Sequence, residues 1–92
     1  MTKPRLFALG QVVSTTQALS FAEKHQIDLL NLLARHQTGD WGDLCEADLE
    51  ANEEALITDS RILSSYQIDQ DKIWIITEAD RAVTTILLPS DY

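Results

Sequence analysis

A chain of 92 residues with 45% hydrophobic residues is sized for one domain, 1–92, with a modest core. Its single cysteine, Cys45, excludes an internal disulfide and a cysteine metal cluster and points to a reducing, cytoplasmic setting; three glycines make no Gly-rich phosphate loop, and no cofactor is expected. The formal net charge of -8 excludes a general nucleic-acid binder, which needs clustered Lys and Arg to meet phosphates.

Residues 1–5 read as a polar tail. Only Leu6, Phe7, Ala8 and Leu9 follow before Gly10, too short a run for a secretory core. No stretch approaches the roughly 18 apolar residues of a membrane span. Residues 6–13 read as either a short N-terminal edge strand or a packed loop. Ser14-Thr15-Thr16-Gln17 has the capping-box pattern, Ser or Thr followed by Gln three residues on. It predicts a helix over 16–25, with Ala18, Phe21 and Ala22 at helical spacing. A second helix is expected over 28–37. Leu29, Leu30, Leu32, Leu33 and Ala34 make it apolar around most of its circumference, which predicts burial on more than one side. Arg35 and His36 lie in its last turn, where cations suit the dipole, and Gly39 stops it.

Asp40-Trp41-Gly42-Asp43 reads as a turn. A third helix is expected over 45–57, acidic outside an apolar stripe. Three strands follow, near 62–67, 72–77 and 83–88, with Pro89 ending the last. Their short polar connections predict an antiparallel meander. The fold class is therefore α+β: about three helices from 14–57 packed on a C-terminal three-stranded antiparallel sheet over 61–89.

Several segments carry a resemblance: Gly39-Asp40-Trp41-Gly42-Asp43-Leu44, Asn52, Leu63-Ser64-Ser65-Tyr66, Ile73-Trp74-Ile75-Ile76-Thr77-Glu78-Ala79-Asp80-Arg81 and Thr84-Thr85-Ile86-Leu87-Leu88-Pro89. In this order they resemble a group of small bacterial proteins found on plasmids and other mobile elements, described as plasmid-related proteins. The resemblance runs from about Gly10 to Tyr92. It implies a mobile-element protein and supplies no activity. Thr58-Asp59-Ser60 departs from the pattern, where relatives tend to carry glycine.

The charge has an address. Residues 40–60 hold Asp40, Asp43, Glu46, Asp48, Glu50, Glu53, Glu54 and Asp59 and no Lys or Arg, which equals the whole net charge. One reading is a solvated helix face with acids suited to a helix N-terminus. The other is a nucleic-acid mimic that offers carboxylates in place of phosphates to a basic protein surface. The first is the commoner case; solvated helices usually mix signs, and the absence of Lys and Arg keeps the second open. Asp48, Glu50, Asn52 and Glu54 alternate like a calcium loop, but Glu53 stands where such a loop needs glycine, so no metal is assigned. Trp41 is either an exposed anchor or a core residue folded back on the second helix.

These readings converge on a non-enzymatic interaction module of a mobile element, anti-defence in one version. It binds another protein, one with a basic surface, through Asp40, Trp41, Asp43, Glu46, Glu50, Glu53 and Glu54. The competing reading is a small ribonuclease or toxin using His36, Arg61, Arg81 and Thr85, with a proton acceptor, a proton donor and a cation around a phosphate. A third is a homodimeric regulatory subunit joined through an exposed strand edge.

Overall fold

A computed structural model describes residues 4–92, so the first three residues of the expected tail lie outside the described part. The chain runs β1 (Gln11–Ser14), α1 (Thr16–Lys24), α2 (Leu29–Gln37), α3 (Glu46–Thr58), β2 (Ile62–Ile68), β3 (Asp71–Thr77), β4 (Val83–Leu87) and a closing 3-10 turn (Pro89–Asp91). The class is α+β, as expected. The sheet has four strands in the order β1-β4-β3-β2. The meander β2-β3-β4 is antiparallel, while β1 joins β4 in parallel. Residues 6–13 thus contain the edge strand rather than only a packed loop.

Each helix start has a local cause. Thr15, not Ser14, caps α1: its hydroxyl accepts from the Ala18 amide, so the cap lies one residue later than the box pattern places it. The Asp28 carboxylate accepts from the Leu30 and Asn31 amides at the start of α2. The α3 end turns on Asp59, held at φ 57°, a left-handed conformation for which glycine is the usual residue.

The sheet buries its helix-side face. Tyr66, Ile73, Ile75 and Ile86 meet Ala18, Leu32 and Leu33 of the first two helices. A second cluster joins Trp41 and Ala55 to Ile62, with Phe7, Leu44 and Leu56 around it. Burial of α2 on more than one side is overturned: Leu32 and Leu33 are buried, but Leu30 is 77% exposed. One layer of helices on one sheet face leaves α2 with a single covered side.

Helix α3 is placed differently. Among its 13 residues only Asn52 and Ala55 are buried. The Asn52 amide donates to the Leu63 carbonyl (2.7 Å) and its oxygen accepts from the Leu63 amide (3.1 Å). A helix side chain therefore stands in for the next strand along β2. Farther along, the Trp41 carbonyl accepts from the Ser65 amide and the Asp43 amide donates to the Ser65 carbonyl. Gly42 makes this approach achievable: at φ +77° a Cβ would sit 2.1 Å from the Ser65 oxygen. Gly42→Ala is expected to destabilise the chain by about 2 kcal/mol or more through strain and clash, measured as a lower urea midpoint.

Candidate functional site

The residues put forward for binding occupy two surroundings. The first is the turn 40–43. Trp41 is only 4% exposed, and its indole N–H donates to the His36 carbonyl at 3.1 Å. This corrects its assignment as an exposed anchor. The indole is large enough to plug the gap between α2, α3 and β2, and it closes the core there. Asp40 is tied down as well. Arg35 grips it through Nε (2.7 Å) and Nη2 (3.3 Å), which holds the guanidinium pKa above its usual value, and the Arg35 guanidinium lies 4.6 Å from the Tyr66 ring centre. The Tyr66 hydroxyl donates to the Asp40 carbonyl; burial pushes the phenol pKa up to about 12. Trp41→Phe should cost about 1–2 kcal/mol, the worth of the lost N–H bond to a buried carbonyl, with the fold kept by circular dichroism.

The second surrounding is α3. At 100° per residue, Asn52 and Ala55 face the sheet and Glu46, Glu50, Glu53 and Glu54 fall on the opposite half, all exposed, with Ile57 (85% exposed) among them. Glu46 and Glu54 stand about 12 Å apart along the axis. Asp43 is exposed at the entrance to the helix, beyond the Cys45 cap. Ion pairs among the described residues are His25–Asp69 and Arg35–Asp40, so none of the α3 carboxylates is neutralised by one. The last turn of α3 holds no cation of its own. Arg81 supplies one from the β3–β4 turn, donating to the Ala55 and Ser60 carbonyls at 3.0 and 2.6 Å.

The competing catalytic set is not brought together. His36 is fully buried on the helix side of the sheet. Arg81 is committed to backbone carbonyls at the end of α3. Thr85 projects from the opposite face to Thr84, and Arg61 binds the Tyr92 hydroxyl at 2.9 Å. Tyr92 in turn meets the Trp74 ring edge-on at 5.8 Å, over a shallow hollow of about 190 Å³.

What His36 does form is a buried polar chain that sequence reasoning missed. The Thr84 hydroxyl donates to the Leu9 carbonyl (2.6 Å), so Thr84 must accept from Thr77 (2.7 Å). Thr77, having given its one proton, must accept from His36 Nε2 (2.9 Å). That leaves Nδ1 unprotonated, accepting from the Ser64 hydroxyl. One carbonyl at the end fixes every proton in the row and the tautomer of the ring. Burial lowers the His36 pKa to about 3, so the imidazole is neutral. A Ser–His contact of this kind can activate a nucleophile, but Ser64 has no exposure to any substrate. The signal was present as hydroxyls at 64, 77 and 84 among large aliphatics.

Among the described residues no group of three or more His, Cys, Asp or Glu could hold a metal ion. No helix there is long and apolar enough to cross a membrane. Comparison with known proteins returns no match: no family model, no curated protein and no solved structure matches the chain.

Proposed function

We propose that the chain is a protein-binding module that presents the outward face of α3 to a basic surface on its partner. The observation that carries this reading is the row Glu46, Glu50, Glu53 and Glu54, exposed, unpaired by any Lys or Arg among the described residues, and mounted on a helix that gives little else to the core. A helix used only for stability would turn an apolar stripe inward; α3 is held by an asparagine, an alanine and a half-buried leucine. Ile57 supplies an apolar contact inside the charged field. The surface is Asp43 plus the α3 glutamates; Trp41 packs beneath the helix in the cluster with Ala55.

The partner class is a protein that uses a cationic groove to hold nucleic acid in the cytoplasm. The motif resemblance to mobile-element proteins makes a host defence enzyme the leading instance, with the module acting as a charge mimic of its DNA. The test is inhibition of a DNA-binding defence enzyme on its own substrate. E46K/E50K/E53K/E54K is expected to lose inhibition by at least tenfold while keeping the wild-type circular dichroism spectrum. Wild-type inhibition should weaken as salt rises. Equal inhibition by the charge-reversed variant would remove the reading.

A further inference from the structure

The two edges of the sheet are treated in opposite ways. The β2 edge is closed by Asn52 and by residues 41–43. The β1 edge is not. The Gln11 and Thr15 amides donate to Ala82 and Ile86, so alternation turns the Val12 amide and carbonyl away from β4. No hydrogen bond among the described residues takes up either group. Proteins guard such an edge with a lysine, a proline or a bulge. Gln-Val-Val-Ser has none of these, its one guard being its length of four residues, and Val12 and Val13 are 41% and 39% exposed.

We propose that β1 is a homodimer edge, on which a second copy of this chain adds its own β1 antiparallel about a two-fold axis through Val12. The occupant is argued from charge. The first 22 residues contain no Asp or Glu, although the chain carries -8 overall. The strand order puts α3 beyond β2, at the far end of the sheet from β1. In the paired form the two β2 strands stand seven inter-strand spacings apart, about 34 Å, with the acidic helices outside them. That is several Debye lengths at physiological salt, so the self-repulsion that would oppose pairing anywhere near α3 is screened here. This is the less acidic edge, bordered by Asp80 at the Ala82 amide and Asp91 at the Thr15 hydroxyl and remote from the α3 glutamates, and it is where two such chains can meet. Val12, level with Thr84, extends the helix-side apolar face into the partner, and Val13, level with Thr85, extends the other.

The experiment is light scattering coupled to size exclusion over a dilution series of the purified chain, with no other protein present. Wild type is expected to show the mass of two chains at the concentrated end. Val12→Pro removes only the outward amide and leaves the β1–β4 ladder intact, so it should be a folded monomer. Amide exchange on wild type gives a second readout independent of that variant: Val12 should be protected at high concentration and lose protection on dilution. A wild-type monomer throughout, a folded Val12→Pro dimer, or a Val12 amide that exchanges freely at high concentration would each overturn the proposal. Dimerisation is read without the α3 partner, so its failure leaves that reading untouched.

Discussion

Lowering the pH from 7 to 5 is expected to remove about 2 kcal/mol of stability through His36 alone. The imidazole titrates near 6.5 when the chain is unfolded and near 3 when it is folded. Below pH 6.5 the unfolded chain takes up a proton that the folded chain refuses. Stability is therefore intact above 6.5, falls by about 1.4 kcal/mol per pH unit, and levels off below 3 after a total loss of about 4–5 kcal/mol. The physical cause is burial, which leaves a charged ring without water, and the oriented row of hydroxyls gives the extra proton no acceptor. A second proton on the ring needs Nδ1 to donate, yet Ser64 already points its hydroxyl there, and Phe7 and the aliphatic core surround the charge. The check is a series of urea midpoints against pH for wild type and His36→Gln. The variant should be less stable at pH 7, since it breaks the row, but its curve should flatten between 6.5 and 4 relative to wild type. Parallel curves would show that His36 is not the acid-sensitive group.

That row explains why the sequence was legible for the fold and poorly legible for the interior. Elements came from periodicity and punctuation, which are local. Ala18 and Ala22 mark the inner face of α1, Gly39 at φ 94° stops α2, and the short links 69–70 and 78–82 allow only antiparallel neighbours. The pairing of β1 with β4 joins residues about 70 apart, and nothing local announces it. His36 looked like a cation suited to a helix end because its neighbours in sequence are Arg35 and Gln37. Its neighbours in space are Ser64 and Thr77, 28 and 41 residues away. The acidic flanks of Trp41 left anchor and core both open, and its packing with Ala55 and Ile62 decides for the core. The α3 glutamates were placed correctly as exposed because exposure of a charged helix face needs no long-range knowledge.

Asn52 was the most misleading residue, since mid-helix it sits among acids and looks like a surface or cation-loop position. Its burial and its two bonds to Leu63 predict a large effect of removing it. Asn52→Ala leaves the Leu63 amide and carbonyl unpaired beside α3, at about 1–3 kcal/mol for each group that water cannot reach. A loss of about 2–4 kcal/mol is expected, although alanine is the better helix former. Asn52→Asp sharpens the test: it keeps an acceptor for the Leu63 amide but loses the donor and sets a carboxylate against the Leu63 carbonyl. It should be destabilised at pH 7 and partly restored as the acid is protonated, the opposite trend to His36. Both variants open the β2 edge, the one edge that wild type closes, so they should also aggregate as they unfold where wild type refolds. Urea midpoints and light scattering on refolding read the two effects separately. An Asn52→Ala chain as stable as wild type would mean that α3 is held by Ala55 and Leu56 alone, and that the glutamate row rides on a helix free to shift along the sheet edge.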